Sequence, residues 1–161
     1  MISKKVILLG HFGVGKTSLI KRFVHQKFSD DYITTIGVKI DKKIVKVDDM
    51  EISILIWDIA GEHTRQKIPE SYKLGAHGTI FVFDVTRPSS YEQLAVDIEH
   101  MHSVLPPVPF LLVGNKTDLV DKEEIAALKQ TLPEAEYFFT SAKNGDHVDK
   151  VFRNLTRMMV P

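Results

Sequence analysis

The chain has 161 residues and is 43% hydrophobic, which is typical of a single globular domain with one core. Lysine plus arginine and aspartate plus glutamate both total 21, so the net charge gives no reason to expect binding to nucleic acid or acidic lipid. The absence of cysteine excludes disulfides, thiolate metal sites, and prenylation or palmitoylation, so we expect no covalent lipid anchor on this chain. Because the first apolar run has only four residues, we expect neither a signal peptide nor a membrane span, and we predict a cytoplasmic protein that reaches membranes only through partners or a tail.

The first part of the chain predicts a strand, a helix and then a β-hairpin. The apolar run 6–9 is nearly continuous, as in strands buried on both faces of a parallel sheet, and residues 19–24 follow it with helical spacing. In residues 38–47 β-branched side chains are interleaved with charged ones, and Asp48-Asp49 is a plausible turn into residues 51–57. We therefore expect one antiparallel strand pair at an edge of the sheet.

The remainder of the chain alternates strands and helices. The runs 80–83, 110–113 and 137–139 predict strands, and the apolar spacing in 94–101 and 148–159 predicts helices. The order is β, α, β, β, α, β, α, β, α, β, α, and right-handed crossovers convert it into a doubly wound sheet. We predict a single α/β domain over residues 1–161, with a mostly parallel six-stranded sheet, one antiparallel edge strand and helices on both faces. Ligands bind such sheets beyond the carboxyl ends of the strands.

The first polar motif is "GHFGVGKT" at residues 10–17, here called the phosphate loop, which matches G-x-x-x-x-G-K-[ST] between a strand and a helix. Glycine lets backbone N–H groups turn inward around phosphate oxygens, and the next helix begins there with its positive end. Lys16 would place a charge on the terminal phosphates and the Thr17 hydroxyl would bind Mg²⁺, which predicts a P-loop NTPase. A plain glycine turn is the alternative. The expected nucleotide contacts here are Gly13, Val14, Gly15, Lys16, Thr17 and Ser18.

The second motif is "WDIAG" at residues 57–61, where a predicted strand ends. An acidic residue at the position of Asp58 can hold Mg²⁺ directly or through water, and the N–H of Gly61 can approach a γ-phosphate because no Cβ intervenes. Taken alone, aspartate followed by glycine after a strand more often marks only a turn.

The third and fourth motifs are "GNKTDL" at 114–119 and "TSAKNG" at 140–145, each after an apolar strand. Asp118 can accept two hydrogen bonds from the adjacent N–H and NH₂ groups of guanine, an edge that adenine lacks. The stem of Lys116 can lie along the base plane, while Asn115 ties the loop together. The Ala142 N–H, between Ser141 and Lys143, could meet the base O6. Each motif alone could be a capped turn, but four motifs at four strand ends favour one guanine-nucleotide site.

Together these motifs resemble the Ras superfamily of small GTPases, and most of all its Rab branch, over essentially all of residues 4–159. The resemblance is carried by "GHFGVGKT", "YITTIGV", "WDIAGE", "SYKLGAHG", "NKTD" and "TSAK". It implies a conformational switch that binds GTP or GDP with Mg²⁺ and hydrolyses GTP to GDP and phosphate. One alternative is a nucleotide-bound interaction scaffold with negligible turnover. The other is an ATP-dependent phosphotransferase with the same loop, which "NKTD" disfavours.

The resemblance also implies roles for single residues. The hydroxyl of Thr35 would reach Mg²⁺ while its N–H senses the γ-phosphate, Phe28 would pack against the guanine base, and Tyr32 would cover the phosphates. The implied metal ligands are Thr17, Thr35 and Asp58. The residues implied in hydrolysis are Lys16, Thr35, Gly61 and Glu62.

Two positions near the γ-phosphate depart from the family pattern. Glu62 stands where the family usually has a glutamine that orients the attacking water, and a carboxylate accepts hydrogen bonds but cannot donate one to the γ-phosphate. We therefore predict slow intrinsic hydrolysis. His63 could orient water instead or be an ordinary surface histidine, and Arg65 could stabilise charge in cis. Phe12 replaces the small residue common there, and could either block the finger of an activating protein or pack in the core under the loop.

The resemblance further implies that effector, exchange-factor and activating proteins bind through switch I (28–40) and switch II (58–75). Trp57 and Tyr72 match two aromatics of the Rab partner-binding patch, whereas Ile40 replaces the third. Trp57 could also be ordinary half-buried strand packing. Four lysines of the edge strand are expected on a solvated face that discourages strand pairing. They are Lys39, Lys42, Lys43 and Lys46.

Overall fold

The computed structural model describes residues 1–26, 28, 37–61 and 67–161. Within them the strands form one six-stranded sheet in the order β2-β3-β1-β4-β5-β6. The strands are β1 (Ile2–Leu9), β2 (Val38–Val47), β3 (Met50–Ile59), β4 (Gly78–Asp84), β5 (Phe110–Asn115) and β6 (Tyr137–Thr140). In this part of the chain neighbouring strands run parallel except for the edge pair β2 and β3, which confirms the predicted doubly wound sheet.

The helices that the structure describes alternate with the strands as predicted. They are α1 (Lys16–His25), the short α2 (Glu70–Lys73), α3 (Leu94–Val104), α4 (Lys122–Thr131) and α5 (Val148–Met159). Helix α4 begins at a capping box, because the Asp121 carboxylate accepts from the Glu124 N–H at 2.8 Å and the Glu124 side chain accepts from the Asp121 N–H. Among the described residues, no helix combines the length and the apolar character needed to cross a membrane.

The apolar run at the end of β1 is continuous because helices cover both faces of the sheet. Val6 and Leu8 lie in a core cluster with residues of α1 and α5, whereas Ile7 and Leu9 lie in a second cluster with residues of α3. Successive side chains of a strand point to opposite faces. A central strand of this sheet therefore needs apolar residues at every position.

The edge strand β2 is covered on one face only, and one part of its prediction is wrong. Lys39, Lys42 and Lys46 are exposed as expected, but Lys43 is half-buried. The Lys43 ammonium donates to the carbonyl oxygen of Phe23 in α1 and lies 4.6 Å from the Phe23 ring centroid. Because strand positions alternate, Lys43 lies on the inner face, where its stem packs and its charge reaches a carbonyl.

The register of the sheet places the predicted motifs along one edge. Asp84, Asn115 and Thr140, which end β4, β5 and β6, are paired across the sheet. Asp58 near the end of β3 pairs with Leu8 of β1, just before the phosphate loop. The strand order reverses between β1 and β4, which is the position where doubly wound sheets bind ligands.

Candidate functional site

The side chains expected to bind phosphate and metal lie in direct contact. The Lys16 ammonium donates to Asp58 Oδ1 at 2.8 Å, and the Thr17 hydroxyl donates to Asp58 Oδ2 at 2.8 Å. Lys16 and Thr17 open α1, Asp58 lies near the end of β3, and all three are buried. A cation, a hydroxyl and a carboxylate from distant parts of the chain thus form one cluster that can attract a phosphate through Lys16 and a metal ion through Asp58.

Gly61 approaches the phosphate loop more closely than a residue with a side chain could. A Cβ at this position would lie 2.8 Å from the Phe12 nitrogen and 3.0 Å from the His11 carbonyl carbon. The neighbouring Ala60 N–H donates to the Gly37 carbonyl oxygen at 2.8 Å, which joins switch II to the end of switch I. The sequence suggested that glycine is needed here so that its N–H can approach a γ-phosphate. The structure adds a second reason, because a side chain at this position would collide with the phosphate loop.

The buried carboxamide of Asn115 joins three of the predicted motifs. Its Nδ2 donates to the Val14 carbonyl oxygen at 3.1 Å, and its Oδ1 accepts from the Thr140 hydroxyl at 3.0 Å and the Ala142 N–H at 3.2 Å. Gly15 has φ 95°, and a Cβ there would lie 2.3 Å from Asn115 Nδ2. Asn115 was expected to tie its own loop together, whereas the bonds of its side chain join that loop to the phosphate loop and to residues 140–142.

Lys116 also contacts the phosphate loop and joins it to the end of β4. Its ammonium donates to the Gly13 carbonyl oxygen at 2.8 Å and lies 2.8 Å from Asp84 Oδ2. Lys116 itself has φ 75°, in the left-handed region, directly after the last residue of β5. Its stem spans the space between the end of β5 and the phosphate loop, and its contact with a base stays a prediction.

The residues expected to hold a base lie together at the ends of β5 and β6. The Ser141 hydroxyl donates to Asp118 Oδ1 at 2.8 Å, which joins the third and fourth motifs. Arg22 of α1 donates through Nε to the Ala142 carbonyl oxygen at 2.8 Å and through its guanidinium to the Lys143 carbonyl oxygen. This loop is therefore fixed by a helix that begins at the phosphate loop.

Other predicted residues lie nearby or outside the described part of the chain. Ser18 is half-buried in the first turn of α1, and Phe28 packs partly buried against the core cluster under α1 and α5. The predicted or weighed residues Tyr32, Thr35, Glu62, His63 and Arg65 lie outside the described residues.

The structure excludes one of the two interpretations of Phe12. Its side chain is 49% exposed, so the interpretation as core packing under the loop is wrong. Its carbonyl oxygen accepts a hydrogen bond from the Arg87 guanidinium, which lies in the connection after β4. The ring therefore faces solvent from a backbone that is held in place.

The three residues of the expected partner patch form one surface. Ile40 pairs with Trp57 across β2 and β3, and the ring centroids of Trp57 and Tyr72 are 6.2 Å apart. The Lys5 ammonium lies 3.6 Å from the Trp57 ring centroid and donates to the Leu74 carbonyl oxygen at 2.8 Å. Burial lowers the pKa of Lys5. Trp57 thus contributes both to strand packing and to the half-exposed patch.

Sequence reasoning missed three residues of this site. Asp84 and Thr140 each end an apolar strand with a polar residue, a signal that could have been followed as it was for Asp58. Arg22 lies in the amphipathic helix α1, where a positive charge has many ordinary explanations. No local pattern identified it.

The chain matches the Ras family model over residues 5–160. The Ypt/Rab-type GTPase ypt7 of Schizosaccharomyces pombe is 36% identical to it, over 96% of this chain and 80% of ypt7. Ras-related protein Rab-7b of Mus musculus is 34% identical, over 96% of this chain and 81% of the mouse protein. Ras-related protein Rab-1 of Theileria annulata is 36% identical, over 96% of this chain and 73% of that protein.

The family match and the relatives indicate the same family. The structure is consistent with this, because the four motifs lie along one edge of the sheet. The chain therefore belongs to the Ras family of small GTPases, whose members bind GTP and act as conformational switches.

Proposed function

We propose that this chain binds GTP and GDP with Mg²⁺ at the carboxyl edge of its sheet, changes conformation between the two, and hydrolyses GTP slowly. The observation that carries the proposal is the contact of Lys16 and of Thr17 with Asp58, each at 2.8 Å, on the same sheet edge where Ser141, after β6, donates to Asp118, after β5. Phosphate, metal and base partners thus follow one another along a single edge.

The phosphate end of the ligand is assigned to the phosphate loop and the start of α1. Backbone N–H groups of this loop and the positive end of the helix both favour a bound anion. We assign the ammonium of Lys16 to the terminal phosphates, where a point charge stabilises the charge that develops during transfer. Support comes from the positive φ of Gly13 and Gly15, 74° and 95°, a backbone path suited to turning N–H groups inward.

The residues present fit a magnesium ion. Thr17 and Asp58 supply the hydroxyl and carboxylate oxygens that this hard cation prefers. Asp58 is 1% exposed, and a carboxylate so deeply buried needs hydrogen-bond donors or a cation, which Lys16 and Thr17 supply here and which Mg²⁺ would supply when Lys16 binds phosphate. We assign Thr17 and Asp58 as ligands, together with Thr35 from the family resemblance. When bound, Mg²⁺ would neutralise charge on the phosphates.

The base end is assigned to the loops after β5 and β6. Asp118 would accept from the N–H and NH₂ groups of guanine, and the hydrogen bond from Ser141 fixes the orientation of its carboxylate. The Ala142 N–H points toward Asn115 Oδ1, so its contact with the base O6 would be shared with that bond. Phe28 and the Lys116 stem would pack against the base plane.

Competition measurements test the assignment of the base. We expect GTP and GDP, but not ATP, to displace fluorescently labelled GDP from the protein in the presence of Mg²⁺, because only guanine offers two donors to Asp118. Equal displacement by ATP would contradict the guanine assignment and favour the ATP-dependent phosphotransferase.

The slow hydrolysis rests on Glu62. Two unit charges about 5 Å apart repel by roughly 3 kcal/mol at an effective dielectric near 20, which corresponds to about a hundredfold in rate. We expect Glu62→Gln to raise the single-turnover rate of phosphate release by up to about a hundredfold for this reason. The matched control is Glu51→Gln, an exposed carboxylate on β3. A wild-type rate typical of glutamine-bearing relatives, with no gain in Glu62→Gln, would contradict this explanation.

The same measurement distinguishes slow hydrolysis from the alternative of a nucleotide-bound interaction scaffold. Release of phosphate over hours, accompanied by conversion of bound GTP to GDP, supports slow turnover. Purified protein that keeps GTP intact over that time would instead be a nucleotide-bound interaction module.

The exposed ring of Phe12 predicts resistance to activating proteins, because Phe12 belongs to the phosphate loop, beside which a catalytic finger would enter. We expect Phe12→Ala to increase stimulation of hydrolysis by a cognate activating protein, measured as phosphate release at saturating activator. Val96→Ala, which truncates a 61% exposed side chain on α3, is the control. Stimulation that is unchanged in Phe12→Ala would show that the ring is no obstacle.

We expect Arg22 to contribute to the affinity for both nucleotides, because its guanidinium donates hydrogen bonds to the carbonyl oxygens of Ala142 and Lys143. We expect Arg22→Met, which keeps the stem but removes the donors, to accelerate GDP dissociation by about tenfold or more, as expected for lost hydrogen bonds from a charged group. Lys21→Met on the same helix is the control. Dissociation that is equally slow in both variants would contradict a role for Arg22.

A further inference from the structure

The first half of the phosphate loop, residues 10–12, and its second half, residues 13–17, are held by different parts of the protein. The second half is tied to the end of β5, because the Gly13 carbonyl oxygen accepts from Lys116 at 2.8 Å and the Val14 carbonyl oxygen accepts from Asn115 at 3.1 Å. This half leads directly into the α1 terminus, where the phosphates nearer the base would bind.

The first half is held from the side of α3. The His11 Nε2 lies 3.0 Å from Asp97 Oδ2, and the Phe12 carbonyl oxygen accepts from the Arg87 guanidinium. Asp97 is a residue of α3, and its side chain is 1% exposed, whereas the His11 side chain is 18% exposed. The His11 ring also meets Phe81 of β4 edge-on, with centroids 6.1 Å apart. The imidazole is therefore fixed on two sides.

A carboxylate as deeply buried as Asp97 needs hydrogen-bond donors to offset its desolvation. An ionised carboxylate can only accept, so with Asp97 charged the hydrogen bond is donated by His11 Nε2. The bond holds the orientation of the ring, and through the ring the backbone of His11. The helix α3 thus acts on the phosphate loop through one side chain.

The position of the His11 backbone matters because Gly61 packs directly on it. A Cβ on Gly61 would lie 3.0 Å from the His11 carbonyl carbon and 3.2 Å from the Gly10 carbonyl oxygen. A small outward shift of His11 would therefore displace the start of switch II. Gly61 is the residue whose N–H is predicted from the sequence to approach the γ-phosphate, the group that distinguishes GTP from GDP.

The geometry points to Asp97 as a positioning residue that acts through His11 to hold the first half of the phosphate loop against Gly61, and so favours GTP over GDP. This inference rests on the proposed function. According to this inference, Asn115 and Lys116 at the end of β5 support binding of both nucleotides. Asp97 of α3 supports binding of the γ-phosphate selectively.

The test compares affinities for GDP and for the non-hydrolysable analogue guanosine 5′-[β,γ-imido]triphosphate, both measured against labelled GDP with Mg²⁺. The variants are His11→Ala, His11→Gln, Asp97→Asn and the double variant His11→Ala with Asp97→Asn. Glu99→Gln, an exposed carboxylate on α3, is the matched control. His11→Gln retains a donor nitrogen at a similar reach to Nε2 and serves as the conservative rescue.

We expect His11→Ala and Asp97→Asn to weaken analogue binding by about tenfold while GDP affinity changes by less than about twofold, as for loss of one hydrogen bond to a charged group. His11→Gln should recover most of the loss, and Asp97→Asn should add nothing in the His11→Ala background, because Asp97 acts through His11. Retained GDP binding shows that each variant is folded.

The inference is overturned if analogue and GDP affinities fall in parallel, if neither falls, or if His11→Gln behaves like His11→Ala. Failure of the proposed function looks different, since then the wild-type protein itself would bind neither nucleotide.

Discussion

The geometry of the site depends on the buried carboxamide of Asn115. It is 1% exposed and bonds to Val14 in the phosphate loop and to Thr140 and Ala142 at the end of β6 and just after it. A buried polar group that loses its partner costs about 1–3 kcal/mol, so no one of these loops can shift without a penalty. The distance between the phosphate loop and the loop after β6 is therefore fixed by the fold. A ligand that spans both meets a surface that is already arranged, which reduces the ordering cost of binding.

The buried ion pair of Lys16 and Asp58 is explained better by ligand binding than by stability of the fold. Both groups are buried, and a buried pair stabilises a fold little compared with apolar side chains of the same size, although removal of one partner costs several kcal/mol. Stability alone thus gives a poor reason for placing a lysine and an aspartate together at the end of a central strand. A ligand that carries both phosphates and a divalent cation gives a better one, because each side chain then has a partner of opposite charge.

The sequence predicted the sheet, its edge hairpin and the meeting of four motifs, because each rests on local patterns. The run 6–9 indicated a strand covered on both faces, and glycine with lysine and threonine at fixed spacing indicated a phosphate cradle. Lys43 was misjudged because alternation along an edge strand does not reveal which lysines have carbonyl partners on the inner face. The pair of His11 and Asp97 could not be predicted, since His11 occupies an unspecified position of its motif, Asp97 lies in no motif, and only the packing of α3 beside the loop brings them together. Phe12 remained open for a related reason, as the path of a loop decides whether its ring is covered.

Strand β1 links the phosphate loop to the partner patch. Its last residues enter the phosphate loop, while in its first half Lys5 lies under the Trp57 ring and holds the Leu74 carbonyl at the end of α2. Burial disfavours the charge on Lys5 and lowers its pKa, and the ring face and the carbonyl offset part of that cost. Because β1 is covered on both faces, it cannot bend without disturbing two core clusters. A change at the phosphate loop must therefore reach the patch through the segments that lie against β1 and β3, such as the contact between Ala60 and Gly37, rather than through movement of the strand itself.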